Sequence, residues 1–249
     1  MNNPFQLNNK TVLVTGASSG IGRQVAISCS GMGAKVVITG RDKERLNDTF
    51  KQLHGEGHTQ LTADLLNEEE RTKFANAVPE LDGVVHCAGI VSPVLAKYLE
   101  EKHFRHIMGS NFEIPVLLTG KLMRGKKINK GASFVFMSSV ASKFPYNGGT
   151  LYSAAKAALE AYSRNLAFEN YNRGVRSNCI VCAMIDTPMY EETIKGMQYT
   201  PEQYASRYPL GIGKTEDVAN AVIYLLSEAS RWVTGTELKL DGGYTLSLL

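Results

Sequence analysis

Short apolar, β-branched runs alternate with stretches of helical spacing from one end of the chain to the other. The runs are Thr11–Thr15, Lys35–Thr39, His58–Thr62, Gly83–Cys87, Ser133–Met137, Val175–Val181 and Glu237–Leu240. Helical patterns lie between them, near 20–31, 42–53, 67–77, 99–124, 150–172 and 215–228. Strands that lack polar alternation and are separated by helices are buried on both faces, which argues for a parallel sheet. The pattern predicts an α/β fold, a doubly wound Rossmann-type parallel sheet of about seven strands with helices on both faces. No repeat, low-complexity tract or Pro/Gly-rich linker interrupts it, so residues 1–249 read as one domain.

One segment breaks the rhythm. Between about 187 and 209 the chain holds Thr187-Pro188, Gly196, Thr200-Pro201 and Tyr208-Pro209, and no strand. A connection this long inside a compact domain is usually functional, often a substrate lid. Pro201-Glu202-Gln203 reads as a helix start within it. The run Glu68-Glu69-Glu70-Arg71 reads as a solvated helix face.

Composition adds limits rather than identity. Apolar residues make up 43% of 249 and charged residues 20%, ordinary for a folded enzyme with a large core. A net charge of +3 argues for neither nucleic acid nor a membrane surface. No apolar run approaches the length of a membrane span, and the first residues lack the signature of a secretory leader, so a cytoplasmic location is expected. The four cysteines fit that compartment as reduced thiols. Cys179 and Cys182 form a C-x-x-C, but within a strand residues three apart face opposite sides, so no zinc or redox pair is expected and no metal.

After the first strand comes Thr15-Gly16-Ala17-Ser18-Ser19-Gly20-Ile21-Gly22. Gly16 permits a tight turn, Gly20 lets backbone approach a phosphate, and Gly22 allows close helix–strand packing. The helix that follows aims free N–H groups and its positive dipole end at a diphosphate. This loop follows a strand and opens a helix, the context a dinucleotide site requires. At the end of the second strand, Thr39 and Gly40 stand where an acidic residue would hold a ribose 2′-hydroxyl. Arg41 instead offers a planar fork to a 2′-phosphate, which points to NADP(H) over NAD(H). Asp42 leaves NAD(H) open, though its place fits the N-cap of the next helix.

Tyr152 and Lys156 are four apart in Tyr152-Ser153-Ala154-Ala155-Lys156, on a segment rich in helix formers, so their side chains share a face. An ammonium beside a phenol favours the phenolate, so the expectation is a lowered Tyr152 pKa and a phenol able to cycle protons. The plain alternative is a surface Tyr and Lys on an amphipathic helix.

Taken together, Thr15-Gly16-x-x-x-Gly20-x-Gly22, Asp64, Ala88-Gly89, Asn111, Ser139, Tyr152-x-x-x-Lys156, Thr187 and Asp241-Gly242-Gly243 resemble the short-chain dehydrogenase/reductase family over nearly the whole chain. The resemblance implies hydride transfer between a nicotinamide and a carbonyl or alcohol carbon, with Asn111, Ser139, Tyr152 and Lys156 as the catalytic set. It also implies cofactor contacts at Gly16, Ser18, Ser19, Gly20, Ile21, Gly22 and Arg41, and at Asp64 and Leu65 by the adenine. Ala88 and Gly89 would pass the adenosine ribose, Tyr152 and Lys156 the nicotinamide ribose, and Ile185 and Thr187 the carboxamide. Pro115 has no N–H, so the Asn111 carbonyl four residues earlier loses its helical partner and is free for a water. A kinked buried helix with a satisfied Asn fits the same facts. His86-Cys87 and Cys182-Ala183 depart from the family's usual Asn-Asn and Pro-Gly, and His86 reads as a satisfied strand-end histidine.

The tail from Tyr208 to Tyr244 is similar to that of 3-oxoacyl-carrier-protein reductases, which implies a 3-oxoacyl thioester substrate, possibly on an acidic carrier protein. Lys121, Arg124, Lys126, Lys127, Lys130 and Arg173 form a basic cluster that could meet such a partner, or could be a solvated helix end. Other substrates in keeping with the family are a small alcohol, sugar or steroid, and a non-catalytic cofactor-binding scaffold is the alternative of another class. Apolar positions beyond a single stripe on the 150–172 helix, Leu151, Leu159, Tyr162, Leu166 and Phe168, suggest helix-to-helix association, and relatives imply a homotetramer.

Overall fold

The computed structural model describes residues 3–190 and 200–248. Its strands are β1 (Thr11–Thr15), β2 (Lys35–Gly40), β3 (Thr59–Thr62), β4 (Leu81–His86), β5 (Ile128–Ser139), β6 (Arg176–Cys182) and β7 (Glu237–Leu240). The principal helices are α1 (Gly20–Gly31), α2 (Lys43–Phe50), α3 (Glu68–Ala77), α4 (Glu101–Met108), α5 (Ile114–Arg124), α6 (Thr150–Asn170), α7 (Pro201–Ala205) and α8 (Thr215–Leu226). The strands form one sheet in the order β3-β2-β1-β4-β5-β6-β7, every pairing parallel.

Alternate side chains of each strand enter two cores. Val12, Val14, Val36, Ile38, Val85 and Ile180 face the side covered by α1 and α8. Leu13, Val37, Val84, Phe134 and Phe136 face the side covered by α3, α5 and α6. Each fully buried aliphatic or aromatic side chain contributes roughly 1.5–3 kcal/mol of transfer free energy, so burial on both faces is what makes the parallel sheet hold. Cys179 belongs to one core and Cys182 to the other, the divergence expected of residues three apart in a strand. All four cysteines are free thiols.

Helices and strands depart from the sequence pattern at identifiable places. β5 begins at Ile128 rather than Ser133, because polar Asn129, Lys130 and Gly131 disguise its first turn while a register shift lets it pair with β4. The single pattern at 99–124 is three pieces: α4, a π-turn over Gly109–Glu113, and α5 with Pro115 in its first turn. Proline cannot donate the helical N–H, and the wider turn takes up the misfit.

Arg71 corrects the expectation of a solvated face. Glu68, Glu69 and Glu70 are exposed, but Arg71 is only 3% exposed. Its Nη1 donates to the carbonyls of Leu65 (2.7 Å) and Leu66 (3.2 Å), tying α3 to the loop after β3. Charged-donor hydrogen bonds of this kind contribute about 2–3 kcal/mol. Arg71→Ala is therefore expected to lower the unfolding free energy by about that amount, seen as a lower urea midpoint at unchanged m-value, and an unchanged midpoint would show the contact to be idle.

Candidate functional site

The order in which strands are added reverses between β1 and β4, which are parallel sheet neighbours although β2 and β3 intervene in sequence. Loops at the carboxyl ends of such strands part on either side and leave a crevice. A cleft of about 480 Å³ lies there. Its floor is the turn after β1, where Gly16, Ser18, Ser19, Gly20, Ile21 and Gly22 all line it. Gly16 sits at φ +67°, and a Cβ there would stand 2.8 Å from backbone atoms of Ala88. A Cβ on Gly22 would run into the Gly16 carbonyl. Ser19 N-caps α1 in extended backbone with no side-chain cap bond, and the first turn carries no acidic residue. The N–H groups and positive dipole end at this helix start therefore suit an anion, and the bare glycine backbone gives a diphosphate room to approach.

Sequence reasoning missed what braces this turn. Thr49 of α2, fully buried, donates from Oγ1 to the Ala17 carbonyl (2.8 Å), and Arg23 donates to Thr49 Oγ1 (3.0 Å) and to the Ser18 carbonyl (2.6 Å). Neither residue belongs to the glycine pattern, and a lone Thr in a helix carries no signal of its role.

Arg41, Asp64, Leu65, Ala88 and Gly89 also line the cleft. Asp42 is the N-cap of α2, as its place implied, accepting from Arg45 N–H (3.0 Å) and pairing with the Arg45 guanidinium (3.3 Å). Asp42 and Arg45 line the cleft together with Arg41, which is exposed. Asp64 Oδ1 accepts from Leu66 N–H (3.1 Å), shaping the turn after β3. Ile185 is 7% exposed and part of the core, outside the cleft lining; Thr187 lines the cleft and packs beside Gly20.

Past the inner end of the cleft the four remaining residues converge. Tyr152, in the first turn of α6, is within hydrogen-bonding reach of the Ser139 side chain, at the end of β5. Ser138 instead donates from Oγ to the buried Glu160 carboxylate (2.6 Å), a bracing contact. Lys156 Nζ lies 5.4 Å from the Tyr152 ring centroid and donates to the Met137 carbonyl (2.9 Å). A Cβ on Gly89 would stand 2.7 Å from Asn111 Oδ1 and 3.4 Å from Lys156 Nζ, which places both beside the turn after β4. The Asn111 side chain is saturated: Nδ2 donates to Ile90 and Ile107 carbonyls (both 2.9 Å) and Oδ1 accepts from Ile90 N–H (3.3 Å).

The expected lowering of the Tyr152 pKa is corrected. Burial raises it well above the ordinary phenol value, and the Ser139 hydrogen bond only partly opposes this. Lys156 feels the same low-dielectric surroundings: burial lowers it to about 8, with nearby thiols acting weakly the other way. Desolvation, not the pairing of phenol with ammonium, dominates both groups.

His86 is a satisfied strand-end histidine on one nitrogen only. Nε2 meets Thr119 Oγ1 (3.0 Å), the ring stacks on Phe136 at 5.0 Å, and Nδ1 has no hydrogen-bond partner. Burial lowers its pKa to about 3, so it stays neutral. Ala183 donates its N–H to the Leu240 carbonyl, joining β6 to β7. No group of His, Cys, Asp and Glu among the described residues could hold a metal.

Of the segment at 187–209, residues 191–199 lie outside the described residues. Pro201 does open a helix, with a capping box between Thr200 and Gln203. Behind it Tyr204 and Tyr208 are buried, Tyr208 stacks on Tyr244 at 4.7 Å, and Arg207 lies over the rings of Tyr204 (5.8 Å) and Tyr244 (5.4 Å).

A glycine-turn nucleotide cleft opening onto a Ser, Tyr and Lys cluster defines the class: a dinucleotide-dependent oxidoreductase of Rossmann type. The family model described as "Enoyl-(Acyl carrier protein) reductase" matches residues 16–245. The 3-oxoacyl-[acyl-carrier-protein] reductase FabG of Rickettsia felis is 31% identical over 96% of this chain and 98% of its own length. A tropinone reductase homologue of Arabidopsis thaliana is also 31% identical, over 98% of this chain and 95% of its own. Among solved structures, a short-chain type dehydrogenase/reductase from Mycobacterium ulcerans superposes with a TM-score of 0.87 at 30% identity, covering 97% of this chain and 91% of that one. A candidate NAD(P) dependent gluconate 5-dehydrogenase from Beutenbergia cavernae, with NADP bound at low occupancy, gives 0.87 at 27%, covering 98% and 100%. The chain belongs to the short-chain dehydrogenase/reductase family and is an oxidoreductase. No helix among the described residues is long and apolar enough to cross a membrane.

Burying Lys156 has a measurable cost. The unfolded lysine keeps its proton up to 10.5, the folded one only to about 8. Between those values the unfolded lysine binds more protons than the folded one, so the Lys156 contribution to stability rises with pH. The rise should reach up to roughly 3 kcal/mol. Lys156→Met should be more stable than wild type at pH 7, and that gap should close as pH rises from 8 to 10; a gap that stays constant over this range would contradict the buried-ammonium account.

Proposed function

We propose that the protein is an NADP(H)-dependent carbonyl reductase or alcohol dehydrogenase whose preferred substrate is a 3-oxoacyl thioester or similar ketone. The observation that carries this is the meeting of Tyr152, Ser139 and Lys156 beside the turn at Gly89, at the inner end of the nucleotide cleft. The bound nicotinamide would supply or accept the hydride. Gly16, Ser18, Ser19, Gly20, Ile21 and Gly22 would hold the diphosphate, Asp64 and Leu65 the adenine side, Ala88 and Gly89 the adenosine ribose, and Ile185 and Thr187 the carboxamide end.

In the reducing direction Tyr152 gives its proton to the substrate oxygen, and Ser139 positions that oxygen. A phenol whose pKa is raised by burial is protonated at neutral pH, which suits it as donor. Lys156 holds the nicotinamide ribose, and its ammonium stabilises the phenolate left after transfer. The backbone carbonyl of Asn111, at the π-turn, holds a water that returns the proton from bulk solvent.

Arg41 is the proposed 2′-phosphate ligand, since Asp42 is committed to the α2 N-cap. The segment 187–209 serves as a lid over the substrate within a single domain of 1–249. Self-association as a homotetramer in the cytoplasm fits α6, although Leu159 and Leu166 are in the core; the exposed apolar surface is Phe168 (76%) with Tyr171 (72%). The basic cluster is partly occupied: Lys121 pairs with Glu68, Lys127 donates to the Val78 carbonyl and Arg173 to that of Ile128. It sits at the start of β5, and the regular stretch from Ser133 to Ser139 alone spans about 20 Å. An acyl-carrier partner docked there would feed the site of another subunit. The names of the Rickettsia and Arabidopsis relatives favour thioester or ketone reduction, whereas that of the Beutenbergia relative keeps a sugar-acid substrate as the second reading.

Tyr152→Phe is expected to cut kcat for NADPH-dependent ketone reduction by a factor of 10² or more. Equal turnover by the variant would remove Tyr152 as the proton donor and favour a cofactor-binding scaffold. Arg41→Ala should weaken NADPH binding roughly 10- to 100-fold with NADH binding little changed. Equal losses for both cofactors in a fluorescence titration would take Arg41 out of the phosphate site.

A further inference from the structure

Two loops meet next to α6, and one of them carries Tyr146, whose ring meets that of Tyr152. Val94 N–H donates to the Gly148 carbonyl (2.9 Å), and Pro93 packs so closely that a Cβ on Gly148 would stand 2.9 Å from its own. Neither loop, 90–96 or 144–149, contains a charged residue. The cations that flank them are engaged: Lys97 Nζ lies 4.9 Å from the Tyr98 ring, and Lys143 pairs with Glu237. Across the mouth, Met189 lines the nucleotide cleft.

Tyr146 stands at the centre of this wall. Its ring centroid is 6.5 Å from that of Tyr152 at 70°, an edge-to-face arrangement. It lies directly against the backbone that opens α6, where a Cβ on Gly149 would be 2.5 Å from Tyr146 Cε1. No larger residue at 149 would let the ring sit there. Tyr146 is nonetheless 37% exposed and Leu95 on the facing loop 42%, so an apolar face is presented to whatever approaches the phenol. Burial pushes the Tyr146 hydroxyl up to about 12, so this wall carries no charge at working pH.

We infer that Tyr146 is the specificity-determining wall of the substrate site, and that the site takes apolar ketones in preference to polyhydroxy or anionic ones. The inference rests on the carbonyl chemistry proposed at Tyr152 and narrows its substrate. A sugar-like ligand would leave hydroxyls unpaired against Tyr146, Leu95, Pro93 and Val94, which costs binding free energy. An apolar chain or ring gains contact area there.

The test uses the full-length protein with NADPH, comparing ethyl 3-oxohexanoate with erythrulose in wild type, Tyr146→Ala and Tyr146→Phe. Turnover is followed by NADPH consumption, and binding to the cofactor-loaded protein by saturation-transfer NMR. Wild type should favour the oxoester in kcat/KM by at least roughly tenfold. Tyr146→Ala should raise its KM roughly tenfold with a smaller change in kcat, and Tyr146→Phe, which keeps the ring, should restore it. Tyr146→Gln keeps bulk without aromatic surface and gives the same reading should the alanine variant not fold. If wild type turns over neither ketone but oxoester binding still falls in the alanine variant, the reductase reading fails and this one stands. Oxoester binding that is the same in all variants, or erythrulose bound as well as the oxoester, overturns it.

Discussion

The structure depends on backbone meeting backbone where β1 and β4 leave the sheet. Gly16 presses on Ala88, and Gly22 presses on the Gly16 carbonyl, with no side chain between them. Packing at that distance brings three things into one place: the free N–H groups of α1, the carboxyl ends of four strands, and the Ala88-Gly89 turn that borders Asn111 and Lys156. A methyl group at Gly16 or Gly22 would push these apart, and no rearrangement of side chains could restore them, because the obstructing atoms are main chain. The braces from Thr49 and Arg23 fix the remaining freedom of the turn from behind.

Around that contact the dominant electrostatic fact is burial. Tyr152, Lys156 and His86 all sit where charge is disfavoured, so the phenol is held protonated, the ammonium is weakened, and the imidazole is kept neutral. At neutral pH only the Lys156 ammonium opposes stability, and proteins retain such a group where chemistry needs it. A buried group that is reluctant to ionise is also the one most sensitive to a charged ligand placed beside it, since the low dielectric that penalises isolated charge strengthens paired charge.

The substrate side is built differently. The glycine turns and helix end that line the cleft are mostly main chain. The side chain that meets Tyr152 instead stands on a loop, Tyr146, and in the segment at 200–211 Tyr204, Arg207 and Tyr208 stack with Tyr244. Asp241 secures the tail for that stack by accepting from Gly243 and Thr245. One half of the site thus keeps the cofactor chemistry constant, while the other can change with few substitutions.

Sequence alone determined the alternation of strands and helices, the parallel sheet, the glycine turn, the N-cap at Asp42, the divergence of Cys179 and Cys182, and the grouping of Tyr152 with Lys156. These follow from local periodicity and from backbone rules that act within a few residues. The tertiary structure decided what depends on partners distant in the chain. Arg71 reads as polar but is buried because two carbonyls after β3 receive it. Asn111 is saturated by Ile90, twenty-one residues away. The Tyr152 pKa rises rather than falls because packing removes water from the phenol, a term that four-residue spacing on a helix does not carry.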